Sequence, residues 1–489
     1  MRTRRDVRAP TVSALRLRGW IGCAAPLFAT ACGMLSTVHE AKLPDRSGTI
    51  AVVQEAEGQY VFVLGERFGP YDGVAVETVK PSEDGRHVAW AATTDGSFRL
   101  YVDGEARGER WDGFGEVRWV GSRHVVFAAE RNGGWHVVTP TGPSERYDSI
   151  AAGSLVSDRD GSSHGFIGID KAGAHVVVDG VASGPFQGAG ALGIDEEGAH
   201  VAFVSLEKNG SFVHIDRERY GPYRDVATLA LSPRLGRFAA SVLTEEGWRA
   251  LVDGNSSDPC DTIGAFTFTR DGTRVAWAAS KAGQWTVHRD AAVLGPYDAV
   301  DHSALRFSAD GRLAFGAKFG GAARVIEDGQ AVGDTFDRVE LVTWAGEAPV
   351  LGFAGVRDNQ ASVVVGGETR GRYDAVTDLA LDAKGQSWIA AAELSGASLL
   401  VTDGVPRAFD GVAAGSLTFD ERGEHWGALV GDASDRSLHF IVDGARASRL
   451  AFDEIASFVQ VDRGPPDDAR LSATMRAWVR AEIARHGRR

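Results

Sequence analysis

The most regular feature of the chain is a short run of small apolar residues around one large aromatic, bounded by polar turns. Val88-Ala89-Trp90-Ala91-Ala92, Val201-Ala202-Phe203-Val204 and Val275-Ala276-Trp277-Ala278-Ala279 show it; Phe127, Phe166, Phe315 and Phe353 mark further copies. A run this short and apolar at every position predicts a strand covered on both faces. A turn such as Ser308-Ala309-Asp310-Gly311 precedes it, and an alternating strand such as Gln284-Trp285-Thr286-Val287-His288 comes after it. Asp-Gly then stands between two β-prone runs at Asp103-Gly104, Asp179-Gly180, Asp253-Gly254 and Asp443-Gly444. Both residues tolerate the positive φ that a two-residue hairpin turn requires. With a first strand such as Ala304–Phe307 and a last one leading into Gly295-Pro296-Tyr297-Asp298, each copy holds four short strands.

The aromatic that closes each copy recurs as Tyr71, Trp111, Tyr147, Phe186, Tyr223, Tyr297, Phe336, Tyr373, Phe409 and Phe452, with Cys260 in the one gap. These eleven positions define a period of about 38 residues. Asp comes next in nine of the eleven, Gln187 and Arg224 being the exceptions. Four strands in about 40 residues is the size of a propeller blade, so the expected fold is an all-β propeller filling residues 48–462. Single rings hold four to eight blades, so eleven copies imply two rings or one large ring. The first copy, starting at Thr49–Val52, lacks an obvious first strand. Ser457–Val461 reads as a lone first strand able to complete it, unless residues 36–43 supply one.

The pattern resembles the TolB-like, WD-type propeller repeats of bacterial envelope proteins. Their hallmark is a Ser-Pro-Asp-Gly turn before a strand with an aromatic. That turn survives here as Ser82-Glu83-Asp84-Gly85 and Ser308-Ala309-Asp310-Gly311. The resemblance implies the fold and leaves function open, because propellers host many functions.

The termini read differently. Residues 1–32 have a basic start, then a short apolar stretch ending Ala29-Thr30-Ala31-Cys32-Gly33. This predicts a signal peptide, too short for a membrane span. It resembles a bacterial lipoprotein signal in which Cys32 is lipidated, with Ala29 where Leu is usual. Cleavage near Ala31 to give a soluble secreted protein is the alternative. Residues 33–47 then form a linker. Beyond Gly464-Pro465-Pro466, Leu471, Met475, Trp478, Val479 and Ile483 recur at helical spacing among arginines. The tail 463–489 is thus a linker and an amphipathic helix, docked on the body or laid on a membrane or partner.

Charge sharpens the reading. The chain carries −14 overall, but residues 48–462 hold 37 Lys and Arg against 60 Asp and Glu. An acidic body repels phosphate backbones and excludes nucleic acid as its partner. Three cysteines make no disulfide framework. Cys260 sits in an aromatic slot between Asp258 and Asp261, which offer no electropositive neighbour to activate a thiol.

No Gly-x-Ser-x-Gly, His-Glu-x-x-His, Cys-x-x-Cys or phosphate-binding loop occurs, so no catalytic residue, metal site or cofactor is expected. His87, His124 and, nearly, His200 share a repeat position, but equivalent positions in different blades lie too far apart to share a metal unless they face the ring axis. The Asp after each aromatic is expected to accept backbone N–H bonds in the inter-blade turn. An isolated Asp has too few oxygens for calcium. The expectation is an exported, monomeric, non-enzymatic scaffold, periplasmic or anchored to the outer membrane, that binds a protein or a cell-surface polymer. Its membrane contact is limited to a lipid anchor or the C-terminal helix. The alternative is a glycan-active glycosidase or lyase with two carboxylates at a ring axis.

Overall fold

A computed structural model of the chain describes residues 36–42 and 49–451, apart from 64–65, 83–86, 122–123, 303, 421–422 and 433–436. The described residues form eleven antiparallel sheets and no helix. Each sheet is a meander whose strands lie in chain order from first to last. This is the blade architecture expected from the repeat. Sheets are numbered 1 to 11 here along the chain.

The second strand of each sheet carries the core. Val88–Thr94, Phe238–Thr244 and Leu313–Phe319 are buried over their first five residues. Successive side chains point to opposite faces, so one strand serves two neighbours. In sheet 7, Val275 and Trp277 pack against sheet 6, while Ala276 and Ala278 pack against sheet 8. Ten such apolar layers join the eleven sheets, one at every step along the chain. The hydrophobic core is therefore divided among the interfaces, as in other stacked-repeat proteins. The layers between sheets 5 and 6 and between 6 and 7 are apolar as well, the second without a closing aromatic.

At five of the interfaces the closing aromatic acts as a bolt. Tyr71 meets Trp90 of the next sheet edge-on with ring centres 6.5 Å apart; Trp111 with Phe127, Tyr147 with Phe166, Tyr297 with Phe315 and Phe336 with Phe353 repeat it at 5.7 to 6.3 Å. Edge-on pairs of this kind add to plain burial. Two glycines exist to admit the ring: a Cβ on Gly168 or Gly355 would lie 2.4 Å from Tyr147 or Phe336.

The turns use their polar residues fully. Asp103, Asp179, Asp253 and Asp443 have φ of 47–51° and the following glycines 78–83°, as the Asp-Gly hairpins require. Each of these carboxylates also accepts the N–H of the residue opening the second strand, as Asp103 does from Val88 at 2.8 Å and Asp253 from Phe238 at 2.9 Å. The Asp after the aromatic caps the next sheet's second hairpin. Asp112 accepts from Asn132 N, Asp261 from Ala282 N, Asp337 from Asp358 N and Asp374 from Ser395 N, at 2.6–2.8 Å. Gln187 and Arg224 lack that carboxylate and keep the backbone bond, to Leu206 O and Leu243 O.

Two parts of the expected layout change. Residues 33–47 are not linker throughout: Ser36–Lys42 pairs antiparallel with Thr49–Glu55 and is the first strand of sheet 1. Its polar sequence, STVHEAK, hides it. Sheet 1 therefore has four strands of its own and needs none from the C-terminus. In sheets 3 and 6 the last strand shrinks to Gly142–Pro143 and Asn255–Ser256. Cys32, Phe452, Ser457–Val461 and the tail 463–489 lie outside the described residues.

Candidate functional site

From sheet 2 to sheet 11, every first strand is interrupted near its middle. In sheets 4, 7, 8 and 11 it divides into two pieces, such as Ser149–Ile150 and Val156–Ser157. In sheets 2, 3, 5, 6, 9 and 10 its pairing register slips. The interruption strands an N–H of the second strand, and a buried hydroxyl takes it up. Thr78 accepts from Ala91 N at 2.7 Å, Ser154 from Ile167 N at 3.0 Å and Ser416 from Leu429 N at 3.1 Å. Bulges of this kind bend a strand and re-aim its continuation.

That continuation is the turn into the second strand, and here successive sheets are laced together. Arg159 N donates to Glu196 O at 3.2 Å and Glu196 N to Pro233 O at 3.0 Å. The Arg118 guanidinium donates to Leu155 O at 2.7 Å, and Trp119 Nε1 to Lys80 O at 2.7 Å. Arg274 and Arg312 repeat the bond to Gly311 O and Pro349 O. Each bond spans one repeat, so the turns form a fixed rim.

Within that rim the turns of sheets 3, 4, 5 and 7 enclose a hollow of about 420 Å³. Its charged lining is Arg118, Arg159 and Arg270 against Asp158, Asp195 and Glu196. Asp158 and Asp195 are 5 % and 3 % exposed. Asp195 Oδ1 accepts Ala199 N at 2.8 Å and His200 N at 3.2 Å, and Asp158 Oδ2 accepts the Ser162 hydroxyl at 2.7 Å. The other oxygen of each carboxylate is buried without a donor. Buried polar atoms are nearly always paired, so two stranded acceptors in one hollow stand out. Asp160, next to this pair, is exposed and held below the usual carboxylate range by the N–H and hydroxyl of Ser162.

The residues singled out by sequence fall elsewhere. His87 and His200 each bond the hairpin Asp of their own sheet through Nδ1, at 2.6 and 2.8 Å to Asp103 and Asp216, and His425 does the same with Asp443. The structure brings none of them together. Among the described residues no group of three or more His, Cys, Asp or Glu is placed to hold a metal ion. Cys260 is half-buried, its thiol lies 3.2 Å from Trp248 O, and burial, with the Asp261 charge second, pushes its pKa up. It borders a groove of about 670 Å³ beside the shortened last strand of sheet 6, with Trp277 and His288 across from it. Sequence reasoning missed Asp158 and Asp195. The repeat position alone could not have found them, because Asp382 and Asp420 stand at the same place in sheets 10 and 11 where Ser82, Ser232, Thr269 and Ser308 stand in others.

No family model matches the chain, and no curated protein matches it. Among solved structures, the Dos1 propeller aligns with 65 % of this chain and 90 % of its own at 8 % identity and a TM-score of 0.30. The β-propeller domain of the Trilobed protease from Pyrococcus furiosus aligns over 53 % and 96 % at 12 % identity and 0.25. TolB from Acinetobacter baumannii aligns over 57 % and 76 % at 13 % identity and 0.27. None of these likenesses bears on what this chain binds.

Proposed function

We propose that the chain is an exported, non-enzymatic scaffold of the cell envelope whose rigid rim of turns binds another protein or a surface polymer. One observation carries this reading. The hairpin Asp and the His beside it are bound within their own sheets and the Asp after the aromatic caps the neighbouring one, whereas the hollow in the rim gathers three arginines and three acids and holds two carboxylate oxygens buried without a donor. Fixed polar groups converging on a hollow are what a binding site needs. Capture from envelope extracts by the full chain is expected to recover one specific protein or polymer; recovery of none counts against the reading. Export with lipidation at Cys32 belongs to the same proposal. A Cys32→Ala variant should leave the membrane fraction, and one that stays there rules out that anchor.

A glycan-active enzyme is the second reading, favoured by the placing of Asp158 and Asp195 on neighbouring turns of one hollow. Two carboxylates flanking a sugar are the usual apparatus of glycoside hydrolysis. Release of reducing ends from a polysaccharide panel, abolished in Asp158→Asn and Asp195→Asn, would establish it. No release from any polysaccharide by the wild type removes it.

A further inference from the structure

We infer that the hollow between the turns of sheets 3, 4, 5 and 7 binds a neutral, hydroxyl-rich sugar unit, with Asp158 and Asp195 accepting its hydrogen bonds and Arg118, Arg159 and Arg270 donating to it. This rests on the binding-scaffold reading and names the ligand class.

The turn itself does not need a carboxylate. At the same repeat position Ser82, Thr269 and Ser308 accept the N–H of His87, Arg274 and Arg312 at 2.8–3.1 Å with a hydroxyl. Ala345 holds the place with its backbone alone, through Ala345 N to Val350 O. Asp195 performs the hydroxyl's task with Oδ1 and keeps Oδ2 buried and without a donor; Asp158 leaves Oδ1 in the same state. A buried, unpaired carboxylate oxygen is unfavourable for folding. It is tolerated when a ligand supplies the missing donor.

The charge balance selects the ligand. Three arginines face three acids, so the lining is neutral as a set. A ligand of net charge would leave one set without a counterpart. A hydroxyl group donates and accepts at once, and a sugar carries several, so it serves both sets. Trp119, fixed by its bond to Lys80 O, also borders the hollow. A hollow of about 420 Å³ lies within the range of small-ligand sites. The inter-sheet bonds hold the rim in place before binding, which lowers the ordering cost.

The test is calorimetric titration of the full chain with neutral hexose and N-acetylhexosamine oligomers. Uronate oligomers, glucosamine oligomers and a lysine-rich peptide serve as charged arms. Asp195→Ser and Asp158→Ser keep a turn hydroxyl like that of Ser308. Asp382→Ser makes the same change in sheet 10, outside the hollow. A neutral oligomer is expected to bind, at least tenfold more weakly in Asp195→Ser and Asp158→Ser and unchanged in Asp382→Ser. The inference is overturned if no neutral oligomer binds, if only a charged arm binds, or if the two variants bind like wild type. A wild type that captures an envelope partner while binding no sugar loses only this inference. One that captures nothing loses the scaffold reading as well.

Discussion

The turn of sheet 5 and the turn of sheet 8 occupy the same place in the repeat and differ in how fully they are used. In sheet 8 the Ser308 hydroxyl accepts Arg312 N at 2.8 Å and donates to Asp310, whose carboxyl it holds below the usual range. Nothing in that turn is left over. In sheet 5 Asp195 caps the same backbone and strands a charged oxygen. The comparison teaches that a repeat fold separates its two duties by position. A polar side chain whose atoms all find partners serves the sheet, and one that keeps a buried atom unpaired at the same position is free to serve something else.

The comparison breaks first at the recurrent aromatics. Phe336→Ala opens the layer between sheets 8 and 9, where Phe336 meets Phe353 at 5.8 Å. A loss of about 3–5 kcal/mol is expected by urea denaturation, as for other buried aromatics. A neutral result would mean that the aromatic repeat is not what binds the sheets. The caps come next. Asp337→Ala removes the acceptor of Asp358 N and should cost about 1 kcal/mol. Gln187→Asp, at a position that now lacks the cap, should gain up to about 1 kcal/mol; a loss there would show the cap to be incidental.

The smallest effect sharpens the picture of a satisfied turn. Asp271 is held down to about 2 by the Thr269 hydroxyl first, then by the Thr273 N–H and hydroxyl. A carboxyl with a lowered folded pKa stabilises the fold above its unfolded value of about 3.9 and loses that contribution as pH falls toward the folded value. The difference in melting temperature between wild type and Asp271→Asn should therefore be full above about pH 5 and be lost below about pH 2. A difference that does not change with pH would contradict it.

Much of this was legible in the chain. The closing aromatic, the Asp beside it and the Asp-Gly hairpins each depend on local chemistry that repeats, so spacing alone exposed them. The carboxylate after the aromatic was expected to accept backbone N–H bonds, and Asp112, Asp261, Asp337 and Asp374 do so. Ser36–Lys42 was harder, because its sequence, Ser-Thr-Val-His-Glu-Ala-Lys, has little apolar character to mark it as a strand. The hollow was not legible at all. Arg118 and Arg270 are four repeats apart in sequence and meet only because the turns of intervening sheets are laced side by side. The Asp at 158 and 195 looked like an ordinary turn residue, and only burial without a donor marks it as something more.

The most direct measurement is the urea midpoint of Asp195→Ser beside that of Asp337→Ala. If the stranded oxygen serves a ligand and not the fold, Asp195→Ser unfolds at higher urea than wild type while Asp337→Ala unfolds at lower. Two midpoints that both fall by a similar amount would contradict the division of duties proposed for this repeat.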